Sequence, residues 1–199
     1  METPTIKNVS DLMDCIRDHE PNLVRYIMDF LFIPCSEDKE GKYEYVRALP
    51  KKNSTSISDK AFYDCKKIKM VIIDEKIKSI GNCAFSDCIN LSFVSIPDTV
   101  LEIGKDAFSV CRNLENIKIP RSLSIINSAS FAECHNLKRI IIPNSVTQIM
   151  EFAFYCCSNL EYLYIPDTIT CLGLGAFSEC RKLKTKIIPK KFDNDNIFD

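Results

Sequence analysis

Only five glycines occur among the 199 residues, so a Gly-rich phosphate loop has nothing to be built from. Neither G-x-x-x-x-G-K nor G-x-S-x-G is present, and two histidines supply no H-E-x-x-H. A formal net charge of −1 offers no long-range field for nucleic acid or an anionic membrane. No run of 18 or more apolar residues exists, which excludes a helical membrane span. The start, METPTIKNVSDLMDC, has no basic stretch followed by an apolar one, which predicts no signal peptide. Eleven cysteines could form a disulfide scaffold, but the odd count and regular spacing predict reduced thiols in a cytoplasmic protein.

What the chain has is repetition. Phe62, Phe85, Phe108, Phe131, Phe154 and Phe177 stand 23 residues apart without insertion. Cys65, Cys88, Cys111, Cys134, Cys157 and Cys180 follow each Phe by three residues. A fixed period in this range marks a solenoid, in which each repeat is one coil laid on the last. Residues 57–189 hold six coils, 1–56 an N-terminal cap and partial first coil, and 190–199 a tail.

Each coil has three parts. A-F-x-x-C-x-x-L, as in Ala84, Phe85, Cys88 and Leu91, has the i, i+3/i+4 spacing of a short helical or 3₁₀ turn. L-x-x-V-x-I, as in Leu91, Val94 and Ile96, alternates as a strand and closes at Pro97, Pro120, Pro143, Pro166 and Pro189. Val100–Ile103 and its equivalents then return two apolar residues to the core. Strands 23 residues apart must lie parallel, roughly 4.8 Å from one another. One coil cannot offset its ordering entropy alone, so stability is a nearest-neighbour property. The Asn90, Asn113, Asn136 and Asn159 column suits a left-handed bend or a bond to neighbouring backbone. Gly81, Gly104 and Gly173 form another column, with Asn127 and Met150 as substitutes. If that column needs positive φ, the Met150 coil must deform.

Before the repeat, residues 11–18 and Pro21–Phe32 have helical spacing, Cys35–Lys42 reads as a loop, and Tyr43–Pro50 resembles half a coil. These segments predict a helical cap over the open first rung. At the other end Lys186 replaces a core residue. Phe192, Ile197 and Phe198 are the apolar residues left to cover that edge, which could otherwise pair with another chain.

The recurring A-F-x-x-C-x-x-L-x-x-I-x-I-P unit resembles the BspA-like leucine-rich repeats. The first copy departs from the pattern at Ile68 and Asp74, the last at Lys186. The resemblance implies an α/β leucine-rich-repeat solenoid, one short parallel strand per coil, that binds other macromolecules. Some relatives act as surface adhesins, so an extracellular adhesin is the alternative. No catalytic motif or cofactor comes with it.

The cysteine column reads as a repeated small hydrophobe. Parallel Cβ vectors oppose a disulfide, and one Cys per coil does not converge on zinc. A thiol enzyme on Cys15 and His19, at i, i+4, lacks an orienting third group. His135 falls at a turn and is expected to be solvated. The positions that folding leaves free are the strand residues pointing outward. One column is Met70, Phe93, Asn116, Arg139, Tyr162 and Thr185; the other is Ile72, Ser95, Lys118, Ile141, Tyr164 and Ile187. Aromatics, Arg and apolar residues on a concave sheet are what partner-binding sites favour, although β-propensity alone also enriches Tyr, Phe and Ile. The candidate contacts for a protein partner are Met70, Phe93, Asn116, Lys118, Arg139, Ile141, Tyr162 and Tyr164. Two cations are too few for a nucleic-acid track.

Overall fold

In the computed structural model the chain divides into two compact units, Met1–Ile33 and Pro34–Asp199. The described residues are 45–48 (backbone), 54–192 and 198, all in the second unit. The expected N-terminal helices, the Cys35–Lys42 loop and the Cys15/His19 pair lie outside them.

Each coil has three walls around one apolar core. The strand wall carries β1 (Tyr45–Ala48), β3 (Met70–Ile73), β5 (Phe93–Ser95), β8 (Arg139–Ile141), β10 (Tyr162–Tyr164) and β12 (Thr185–Ile187). Every pairing in it is parallel and steps by about one repeat, as in Met70 with Phe93 and Tyr162 with Arg139. The return wall is built from two-residue strands: β2 (Ser56–Ile57), β4 (Ser79–Ile80), β6 (Glu102–Ile103), β7 (Ile125–Ile126), β9 (Gln148–Ile149) and β11 (Cys171–Leu172). Between the walls the six Phe rings are buried and stacked face to face, with centroids 4.9–5.6 Å apart and planes within 11°.

The third wall corrects the sequence reading. A-F-x-x-C is not a helical or 3₁₀ turn; among the described residues the single 3₁₀ turn is Lys190–Phe192. It is a run of β-turns with positive φ at the second residue before and the second after each Phe, as at Cys83 (51°) and Asp87 (61°). Alternate N–H groups serve different purposes. Ala61 and Tyr63 bond three residues back, while Lys60, Phe62 and Asp64 donate to Asn82, Ala84 and Ser86 of the next coil. A helix would consume every N–H inside its own segment. The turn ribbon gains three bonds between coils instead, against a left-handed cost of roughly 1–2 kcal/mol per non-glycine residue. Sequence spacing does not separate the two, because both bring i and i+3 together.

Neither column read as left-handed is so. The Asn column does bond neighbouring backbone at its start, Asn90 Nδ2 donating to Lys66 O at 2.7 Å, and continues as a side-chain ladder, Nδ2 of Asn113, Asn136 and Asn159 each donating 3.2–3.4 Å to the Oδ1 before it. Gly81, Gly104 and Gly173 are small because the previous coil passes close: a Cβ on Gly104 would lie 2.7 Å from the Asn82 nitrogen. Met150 has no positive φ and keeps its backbone bond to Ile126 at 2.9 Å, so its coil is not deformed in the expected way.

At the last coil Lys186 is exposed and its Nζ sits 4.0 Å over the Phe198 ring. Phe192 is buried, and Phe198 lies 6.1 Å from Phe177. Two of the three apolar tail residues thus reach the core edge; Ile197 lies outside the described residues.

Candidate functional site

The sulfur column forms one hydrogen bond per coil. Cys88, Cys111, Cys134, Cys157 and Cys180 each direct Sγ at the carbonyl oxygen of the Phe one coil earlier, at 3.1–3.4 Å. That oxygen also accepts the N–H of the Cys three residues on, as in Cys65 to Phe62. A small apolar side chain with one weak donor fits there. Burial pushes Cys134 up to about 12 and holds Cys111 and Cys157 well above the ordinary thiol value. All nine described cysteines are free, and no group of three metal-binding side chains occurs among the described residues. Cys156 approaches His135 Nε2 at 3.8 Å, but burial and then Glu133 and Glu179 raise its pKa, opposite to what an activated thiolate needs. Iodoacetamide on the native protein, read by peptide mass, should therefore label exposed Cys171 and leave Cys88, Cys111, Cys134 and Cys157 intact. Labelling of those four at the Cys171 rate would contradict the column.

The outward faces of the strand wall do not form one uniform surface. Met70 is buried at 3% exposure, so it cannot serve as a contact; its rung is flanked by β1 and β5. Phe93, Tyr162 and Tyr164 are half-buried, whereas Asn116, Lys118, Arg139 and Ile141 are exposed, Ile141 at 47%. The Arg139 guanidinium lies 4.3 Å over the Tyr162 ring, a geometry that fixes both side chains. Lys118 is paired with Asp98 at 3.0 Å. Asp98 also accepts the Arg121 N–H, and that bond, helped by Lys118, holds its carboxyl below the usual range.

Asn116, Lys118, Arg139, Ile141 and Tyr164 are brought together by an opening between the third and fourth coils; Met70, Phe93 and Tyr162 do not line it. Asn127 is the first substitute in the glycine column. Elsewhere the column's backbone N–H bonds the previous coil, as Gly104 does to Ile80 at 2.8 Å. At Asn127 the side-chain Nδ2 takes that place, donating to Ile103 at 2.7 Å. The inserted side chain acts as a spacer. The return wall splits there into β2-β4-β6 and β7-β9-β11. The Phe108–Phe131 stack is the widest of the six-ring column, at 5.6 Å. The strand wall divides as well, into β1-β3-β5 and β8-β10-β12, with Asn116 joined to Phe93 and Arg139 only by isolated bridges. Thr99, Ser122 and Thr168 each donate a hydroxyl to a carbonyl one coil back, but Ser145 Oγ, across this interval, has no partner. The turn wall stays closed, with Phe108 N–H to Ser130 at 2.8 Å.

The result is a groove of about 680 Å³ lined from the third coil by Asn116–Ile119 and Arg121, and from its neighbours by Arg139, Ile141 and Tyr164. Ile117, whose counterparts Val94, Ile140 and Leu163 are buried, is partly exposed here. Sequence reasoning found five of these residues but missed Arg121 and the opening itself. Asn127 in the glycine column was the available signal, and attention went to Met150 instead.

A parallel stack of short coils with an apolar core, an Asn ladder, a strand wall and a return wall of two-residue strands defines a leucine-rich-repeat solenoid, with two short strands in most coils where the sequence predicts one. The chain belongs to the BspA type leucine rich repeat family, whose region matches in six copies over residues 55–184. Among solved structures it is similar to the T. pallidum leucine rich repeat protein, with 27% identity, a TM-score of 0.59, and 70% of this chain and 78% of that one covered. A leucine rich cell surface protein from Faecalibacterium prausnitzii A2-165 gives 25% identity and a TM-score of 0.53, covering 72% of this chain and 47% of that one. This chain thus spans about half the length of the second. A comparison with curated proteins found no match.

Proposed function

We propose that the protein is a non-enzymatic interaction scaffold that binds a protein partner through the outward face of its strand wall. The observation that carries this reading is the groove, where Arg139, Ile141 and Tyr164 converge at an interruption the repeat itself does not need. Aromatic and Arg side chains already held in place lose little freedom on binding. The contacts are Phe93, Asn116, Lys118, Arg139, Ile141, Tyr162 and Tyr164.

The test is the double change Tyr162→Ala with Tyr164→Ala. Loss of two anchors should weaken partner binding by roughly thirtyfold or more, the equivalent of ~2 kcal/mol. Melting should change little, since both side chains leave the core. Unchanged affinity for every captured partner, with lowered stability, would make these aromatics packing residues and discard the face.

A second reading, an extracellular adhesin, is supported by the cell surface protein among the similar structures. A C-terminal tag followed by fractionation separates the two.

A further inference from the structure

Among the described residues the charged side chains that line the groove, Lys118, Arg121 and Arg139, are all cationic, while the Asp98 carboxylate pairs with Lys118 and accepts the Arg121 N–H. Lys118 is already offset by Asp98. Arg121 has an exposed side chain and no ion pair among the described residues. Arg139 lies over the face of Tyr162 and forms no ion pair among the described residues, which leaves its N–H fork open to a carboxylate. The same space holds apolar surface, Ile141 and Tyr164. Two guanidinium groups flanking an apolar floor complement carboxylates flanking an apolar side chain. At about 680 Å³ the groove is within the range that holds a compact ligand, roughly 300–1,000 Å³.

We infer that the groove between the third and fourth coils binds an acidic segment of a partner protein, with carboxylates on Arg121 and Arg139 and an apolar side chain on Ile141 and Tyr164. The inference rests on the reading of the strand wall as the binding face. It adds the chemistry of the ligand and assigns Arg121, which the repeat pattern does not single out. It also assigns Asn127 as a positioning residue, because the side chain that spaces the coils makes room for the ligand.

The probe is a library of random peptides displayed on phage and selected against the full-length protein. Enriched peptides should carry net negative charge with an apolar residue among the acids. A synthetic copy of the strongest should bind the wild type at least about tenfold more tightly than Arg121→Glu with Arg139→Glu, each lost charge contact being worth of that order. Affinity should fall as salt is raised, since the pairs are partly exposed. Amidating the acids to Asn and Gln should have the same effect as reversing the arginines. Asn127→Gly should close the interval and weaken the peptide while keeping both arginines, and the native melting curve shows that the variant is folded. Enriched peptides that are neutral or basic, or that survive the charge reversal, would overturn the acidic ligand. If those same peptides are lost with Tyr162→Ala and Tyr164→Ala, the binding face stands and only its ligand chemistry falls. Absence of any enrichment dependent on the tyrosines or arginines removes both.

Discussion

Replacing Phe131 by alanine is expected to lower the unfolding free energy by about 3–5 kcal/mol, the usual result of emptying a buried aromatic site. Phe131 is fully buried and is stacked on both sides, 5.6 Å from Phe108 and 5.3 Å from Phe154. No single neighbour can fill the void, because each ring is fixed by its own coil. The location adds a second effect. On its N-terminal side Phe131 bridges the interval where the return wall is split, so the turn wall and the ring stack carry much of the coupling. Removing the ring there should uncouple residues 57–126 from 127–189, and hydrogen exchange read by mass should show the two blocks opening separately. Phe85→Ala, in a closed interval, creates the same void and should leave one cooperative transition. A loss under about 1 kcal/mol at Phe131 would place it in the range of an ordinary surface change and refute the argument.

Alkali should unfold this protein steeply. In the folded chain Cys88, Cys111, Cys134 and Cys157 are buried without access to water, and desolvation raises each above the ordinary thiol value. In the unfolded chain they ionise normally. Above the unfolded value the unfolded state therefore binds fewer protons than the folded one, and stability falls as pH rises. It is fully present below about pH 9 and is lost progressively up to pH 12 and beyond, where Cys134 itself titrates. Each thiol contributes a slope near 1.4 kcal/mol per pH unit, and four give about 5 kcal/mol per unit once the unfolded thiols are ionised. Urea midpoints at several pH values in the presence of reductant measure it. Cys134→Ala should lower the slope by about a quarter, so an unchanged slope would show that the thiols are not responsible.

Most of the architecture was legible because a repeat of constant length leaves little choice. The Phe and Cys columns fix the register, the L-x-x-V-x-I alternation fixes the strand wall, and the apolar pair after each Pro fixes the return wall. The A-F-x-x-C turn was misread because its side-chain spacing is common to helix and turn; the difference is where the backbone N–H groups go. The outward columns followed from alternation, but Met70 was assigned to solvent although it is buried. The groove was invisible in the outward columns themselves, since its cause is Asn127 on another wall. A column position that looked like a tolerated substitution sets the distance between coils.

The turn wall also gives the molecule a polarity. Along that wall each of the first five coils donates three backbone N–H groups to its successor. Return-wall bonds such as Gly81 to Ile57 and Gly173 to Ile149 run the other way. On the turn wall one end of the stack is a donor face and the other an acceptor face. Two copies meeting by like ends would set donors against donors there, so an additional coil can extend that wall only head to tail.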